Sequence, residues 1–392
     1  MSVENRQKGR LAVRDNHETH LVPEYVLRGH TAQINTLSFS KSCDLLFSGD
    51  SDGHVAVWSL ESFRPVVFAK AHQGSVLTVV ELDADKYLSH GRDNKIHVYS
   101  LPSETLPVCS TLPSSTSPTR ITPLYTIETN ALGYCKCSLL QLSDCQALVA
   151  VPSTLRDELV DIFHLPSGKR VHRSVGKDAF EAKTGTVMAL SLFLHSANDL
   201  RVLASYEDGR VAVFCLKKEE RAWSKPLLQE NEGWSKVFES RHHKEPTMGV
   251  ALDAHAKRAW SVAADHLVVR YELDKEVEHN SRAYKTAYPG RAGLAIRDDD
   301  RILAIAGWDG SIRVHSVATF RPLAVLEYHR ESVFTVAFAS VNESKDGQHK
   351  KAMLQEGSEH DRVVRPRRRA WLAAAGKDER ISLWELYPPS HL

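Results

Sequence analysis

The chain has 392 residues, 42% apolar and 25% charged, with 50 basic and 49 acidic side chains. A net charge of +1 argues against a bulk nucleic-acid binder, which would carry a basic surplus, so no direct nucleic-acid partner is expected. No apolar run approaches the roughly 18 residues of a membrane span, so no membrane contact is expected either.

From the N-terminus, residues 1–21 are polar and charged and lack the apolar core of a signal peptide. They read as a disordered leader to a single domain over residues 22–389, in a cytosolic or nuclear protein. The six cysteines form no C-x-x-C pair. Cys135 and Cys137 lie two apart, share a strand face, and would hold a metal only with two further ligands. No partner spacing matches, so buried free thiols in a reducing compartment are expected, with no metal and no cofactor.

The first clear element runs Ser48-Gly49-Asp50-Ser51-Asp52-Gly53, a tight turn, into His54-Val55-Ala56-Val57-Trp58, a strand. An Asp followed six positions later by a ring recurs along the chain. The pairs are Asp52/Trp58, Asp93/Tyr99, Asp157/Phe163, Asp208/Phe214, Asp265/Tyr271, Asp309/His315 and Asp378/Trp384. Apolar residues three and five after the Asp give the period of a strand with one buried face. The fifth unit departs, with Val268 followed by Arg270. A second marker, a small or aromatic residue before His, stands upstream as Gly29-His30, Ala71-His72 and Tyr328-His329. Glu61-Ser62-Phe63-Arg64-Pro65 resembles Ala318-Thr319-Phe320-Arg321-Pro322, an internal duplication. Seven units of this kind predict an all-β, seven-bladed propeller.

These residues resemble the WD-repeat family. The resemblance implies a hydrogen-bonded set inside each blade: His30, Ser48, Asp52 and Trp58 in the first, and His72, Ser89 and Asp93 in the second, with Tyr99 for Trp. In the last it implies His329, Asp378 and Trp384, with Ala374 where the hydroxyl belongs. It also implies that Tyr25-Val26-Leu27 closes the ring on the last blade, which removes exposed sheet edges. Ser48, His30 and Asp52 are also the residue types of a hydrolase triad, but their recurrence puts them inside the blades as structural groups.

The Asp-to-Asp intervals are 41, 64, 51, 57, 44 and 69, and a unit needs roughly 40 to 45. Flexible inserts are therefore expected at 102–123, 217–235 and 342–369, the second offering Trp223 and Trp234 as contacts. In the third, Arg365, Arg367, Arg368 and Arg369 resemble a nuclear import signal or a patch for an acidic partner. The residue before each turn Asp reads Ser51, Arg92, Arg156, Glu207, Ala264, Trp308 and Lys377. In WD-repeat proteins this column often faces partners, which makes Arg92, Trp308 and Lys377 the candidate contacts.

LRGHTAQINTLSFS, LAIAGWDGSIRVHSVATFRPLAVLEYHRESVFTVAFA and LAAAGKDERISLWELYPP are similar to the fungal ASTRA-associated WD-repeat proteins. An animal relative of these is the G-protein-β-subunit-like WD protein. The resemblance implies a nuclear, non-catalytic scaffold subunit of a multiprotein complex linked to chromatin remodelling. It further implies a role in assembly and stability of phosphatidylinositol-3-kinase-like kinases. Kinase-like proteins, their co-chaperones and AAA+ ATPases would be the partners. Two other readings stay open: another WD adaptor, such as a ubiquitin-ligase substrate receptor or G-protein-β-like scaffold, and a diphthine methylesterase-like hydrolase. The hydrolase would need a nucleophile or metal cluster outside the structural sets, and the sequence offers none.

Overall fold

The strand His54–Ser59 shows how the sequence builds a blade. Val55 and Val57 point to one side, Ala56 and Trp58 to the other, and all four are buried. The expected pattern of one buried face is thus corrected to two. Val55 and Val57 pack with Val76, Val79 and Tyr87 of the next blade, while Ala56 and Trp58 pack with Trp371, Ala373 and Ile381 of the last. Each fully buried Val or Leu contributes about 1.5–3 kcal/mol, so apolar residues on both faces hold neighbouring blades together.

The computed structural model describes residues 21–101, 119–131, 133–143, 146–196, 199–216, 233–273, 281–341 and 369–387. Among these, regular structure consists of strands, arranged in seven sheets. Each sheet is one blade of a propeller, with four antiparallel strands from the innermost to the outermost. The first blade is Ile34–Phe39, Leu45–Asp50, His54–Ser59 and Arg64–Lys70. Seven apolar clusters fill the seams between successive blades.

The last blade is completed from the other end of the chain. Tyr25–Arg28 pairs antiparallel with Arg380–Glu385, Tyr25 opposite Leu383 and Arg28 opposite Arg380. Arg297, 1% exposed, reinforces this joint. Its guanidinium donates to the carbonyls of Leu386 (3.1 Å) and Tyr387 (2.9 Å) and pairs with Asp299 at 2.5 Å. The duplicated Phe residues play matching parts. Phe63 and Phe320 both adopt left-handed backbone, φ 56 and 58. Each lays its ring on the outermost strand of the preceding blade: Phe63 on Tyr25 at 3.7 Å, Phe320 on Tyr284 at 4.2 Å.

Four sequence expectations change. Thr119–Arg120, inside the insert expected to be flexible over 102–123, runs parallel to Arg64–Lys70 as a fifth strand of the first blade. Trp234, placed in the 217–235 insert, begins the strand Trp234–Arg241 and is half-buried, its ring 5.3 Å from that of His172; Trp223 lies outside the described residues. Cys135 and Cys137 do not share a face: Cys135 enters the seam between the third and fourth blades, Cys137 that between the second and third. In the fifth blade Val268 and Val269 are buried and Tyr271 keeps its register, while Arg270 lays its guanidinium over Trp260 at 6.0 Å. Of the insert 342–369 only Arg369 is described, and its guanidinium lies 5.3 Å from the ring centre of Trp371.

Leu27, 3% exposed in the closing strand, tests how much the joint contributes. Leu27→Ala is expected to cost about 2–4 kcal/mol of unfolding free energy, measured by urea denaturation. An unchanged midpoint would show that the strand does not hold the ring.

Candidate functional site

The turn between the second and third strands of each blade lies at the end of the ring where the next innermost strand begins. In most blades its leading residue is tied down by a backbone hydrogen bond. Ser51 N–H donates to Gln33 O (2.9 Å), Arg92 to Ser75 O (2.8 Å), Glu207 to Thr186 O (3.0 Å), Trp308 to Gly290 O (3.0 Å) and Lys377 to Ser332 O (2.9 Å). Serines then link neighbouring blades, Ser75 Oγ to Ser51 O at 3.1 Å and Ser332 Oγ to Trp308 O at 2.8 Å. The column read from the sequence is therefore one rim of side chains held by fixed backbone.

Beneath the rim sit the polar sets. In the first blade His30 Nδ1 donates to Asp50 Oδ2 at 2.7 Å. His30 Nε2 lies 2.7 Å from Ser48 Oγ, which also accepts from Trp58 Nε1 at 2.8 Å. The assignment of Asp52 to this set is corrected: Asp52 is exposed, and its N–H donates to Asp50 Oδ1 at 3.0 Å. The second blade shows why. There the position of Asp50 is Gly91, where a Cβ would come within 2.3 Å of His72 Nδ1. A side chain at that position runs straight into the histidine, and in the first blade it is itself the carboxylate. With glycine there, Asp93 reaches His72 Nδ1 instead, at 2.9 Å, and His72 Nε2 lies 2.7 Å from Ser89 Oγ. Burial works against the Asp93 charge more than any single neighbour favours it, but the His72 hydrogen bond and charge, the Gln73 N–H and His97 together outweigh it and hold the carboxyl down at about 2.

In the last blade His329 Nδ1 meets both Asp378 oxygens at 2.9 Å. Ala374 offers no hydroxyl; Ser382, its cross-strand partner, supplies it. Ser382 Oγ lies 2.8 Å from His329 Nε2 and accepts from Trp384 Nε1 at 2.8 Å. The fifth blade holds a set that the sequence reading missed. His243 Nδ1 lies 2.9 Å from Asp265, His243 Nε2 is 2.7 Å from Ser261 Oγ, and Ser261 Oγ is 2.9 Å from Tyr271 Oη. The signal was available, because His243 precedes Asp265 by the same 22 residues as His30 precedes Asp52.

These sets are enclosed. Ser48 and Asp50 have no exposed surface and His30 has 5%, so the Ser–His–carboxylate resemblance to a triad is structural. His72, Asp93 and His97 bring donor atoms within 4.8 Å of one another, the only such group among the described residues. Both nitrogens of His72 are taken by Asp93 and Ser89, and His97 Nδ1 by Thr126 Oγ1 at 2.7 Å, which leaves the group committed to the fold.

On the rim, two arginine–aromatic pairs stand out to solvent. Trp308 is 42% exposed, with its indole lying on Gly290, whose φ of +78 and missing Cβ make room for it. Beside it Arg313 stacks on the exposed Tyr288 at 4.5 Å and pairs with Asp309 at 2.6 Å. Across the ring Arg92 stacks on the exposed Tyr134 at 4.2 Å, and Leu155, before the corresponding turn of the third blade, is exposed too. Lys377 pairs with Glu331 at 2.7 Å. Tyr134, Leu155, Tyr288 and Arg313 were not singled out from sequence; Tyr134 and Tyr288 each stand beside a glycine-containing loop entry, Gly133 and Gly290.

Comparisons with known proteins agree with this architecture. Residues 21–59 match the family model described as WD domain, G-beta repeat. The chain is 32% identical to ASTRA-associated protein 1 of Aspergillus flavus, over 93% of this chain and 97% of that protein. It is 30% identical to the protein of the same name in Schizosaccharomyces japonicus, over 93% and 99%. It is also 31% identical to the mouse guanine nucleotide-binding protein subunit beta-like protein 1, over 93% and 96%.

Two outcomes follow from the polar sets. Asp50→Asn is expected to cost about 2–4 kcal/mol of stability by disrupting the buried hydrogen bonds to His30 and the turn N–H groups, and Asp52→Asn less than about 0.5 kcal/mol; equal losses in chemical denaturation would restore Asp52 to the set. His90, fully buried, has no hydrogen-bond partner among the described residues at either ring nitrogen, and burial, helped by the nearby His72, pushes its pKa down to about 3. The unfolded chain therefore takes up this proton first as pH falls. Stability is fully present above about pH 6.5 and declines below it, by about 1.4 kcal/mol per pH unit for this group. His90→Leu is expected to remove that slope between pH 6 and 4, read from urea unfolding across pH.

Proposed function

The chain belongs to the ASTRA-associated protein 1 family, and from that premise we propose that it serves as a WD-repeat scaffold subunit of an ASTRA-type multiprotein complex. The observation that supports this most is likeness along nearly the whole length of those relatives. The physical features agree with a scaffold: a closed ring with few moving parts, polar sets sealed inside the blades, and a rim of exposed rings and cations. In this reading the complex is nuclear, acts in chromatin remodelling, and assists assembly and stability of phosphatidylinositol-3-kinase-like kinases. Its partners are kinase-like proteins, their co-chaperones and AAA+ ATPases. Arg92, Trp308 and Lys377, with Tyr134, Tyr288 and Arg313, form the contact face, where buried aromatic and arginine anchors contribute most.

Affinity purification of the native protein followed by mass spectrometry tests the reading. Kinase-like proteins and their co-chaperones are the expected company, and recovery of ubiquitin-ligase subunits alone would overturn it. Trp308→Ala is expected to weaken capture of at least one partner about 30-fold, a loss of about 2 kcal/mol, with the fold intact by circular dichroism. Undiminished capture of every partner would remove the rim from consideration.

A further inference from the structure

The first and sixth blades are copies of each other down to their outer edges. Their outermost strands, Arg64–Lys70 and Pro322–Glu327, pair inward with the same irregularity, next to Trp58 in one and His315 in the other. In that register Val66 corresponds to Leu323, Val67 to Ala324, Phe68 to Val325 and Lys70 to Glu327. The edge of the first blade is covered. Thr119–Arg120 runs parallel to it, Thr119 opposite Ala69 and Arg120 opposite Lys70, and Ile121 packs against the same apolar cluster as Val66 and Val67. The edge of the sixth blade carries no fifth strand among the described residues, and Leu323 and Val325 are 36% and 48% exposed.

The stretch that covers the first blade leads into the outermost strand of the second, Tyr125–Glu128. The outermost strand of the blade after the sixth is Tyr25–Arg28, and what leads into it is the start of the chain. The two approaches read Thr119-Arg120-Ile121-Thr122-Pro123-Leu124-Tyr125 and Thr19-His20-Leu21-Val22-Pro23-Glu24-Tyr25. Their described parts do the same things. Leu124 N–H donates to Val98 O at 2.7 Å and Glu24 N–H to Leu383 O at 2.8 Å, both acceptors standing five residues after a turn Asp. Ile121 packs against the apolar cluster that Val67 and Leu101 join, and Leu21 against the one that Ala324 and Tyr387 join.

We propose that Thr19-His20, which lie outside the described residues, add to the free edge of Pro322–Glu327 as a parallel fifth strand of the sixth blade. Thr19 then stands opposite Leu326 and His20 opposite Glu327. The pairing gives the edge amides and carbonyls partners and covers a strand that would otherwise invite another chain. Leu21, already seated at the adjoining seam, holds the segment close, so the pairing is intramolecular and its effective concentration high.

Hydrogen exchange by mass spectrometry tests this on the full chain, a chain lacking residues 2–20, and the full-length double variant T19P/H20P, which removes two backbone donors. In the full chain amides of 323–327 are expected to exchange at least about tenfold more slowly than in either variant, with Arg64–Lys70 unchanged as internal reference. Protection should not depend on protein concentration. Equal exchange of 323–327 in all three chains would overturn the proposal. So would protection that rises with protein concentration, which would make a second copy of the chain the occupant.

Discussion

Every blade of this ring is held between two others, so its middle strands are buried on both faces. That single constraint governs most of what the chain does. It requires apolar residues at successive rather than alternate positions, as in Val55-Ala56-Val57-Trp58. It also leaves the turn at the end of each blade with polar groups that must be satisfied beside a dry interior. The histidine sets do this: one imidazole passes order from a carboxylate to a hydroxyl and then to an indole or phenol. A buried carboxylate without a partner would cost several kcal/mol; where no histidine serves, as in the sixth blade, Ser311 and Arg313 satisfy Asp309 instead.

Much of this was legible in the residues. The recurring Asp and ring six apart define blades because a two-residue turn entering a strand has a fixed length. The closing strand was legible through the WD-repeat resemblance, which implies that a strand before the first repeat, here Tyr25-Val26-Leu27, completes the last blade. Two details were not. Asp50 and Asp52 both precede the same strand, and which one meets His30 depends on which side chain is aimed at the ring, a matter of backbone direction and not of spacing. Ser382 was invisible for a related reason. A hydroxyl can be offered from either of two strands facing the same histidine, and the column that works in the first and second blades is alanine in the last. The exposed rings Tyr134 and Tyr288 were passed over because they sit in loops of unequal length, where no repeat ruler applies.

The rim and the interior divide the labour. The interior sets consume the histidines and carboxylates that would otherwise suggest chemistry. What remains on the rim is a Trp laid on a glycine and two tyrosines capped by arginines. Rings fixed in this way lose little freedom when a partner covers them, since their rotamers are already set by the backbone beneath. Opposite placement of the two arginine–tyrosine pairs on the ring suits a partner that spans the face.

The joint in the last blade has a consequence for the order of the chain. Glu24 and Leu383 share a hydrogen bond of 2.8 Å, so both termini leave the ring from one blade. Each blade is completed locally everywhere else, and none of the seams depends on where the backbone is interrupted. In a circular permutant with the ends joined by a linker and the backbone cut within 342–368, the pairing of Tyr25–Arg28 with Arg380–Glu385 becomes internal to the chain. The ring then closes instead where Val333–Phe338 meets Trp371–Gly376, so the strand pairing that closes it moves one seam inward within the same blade.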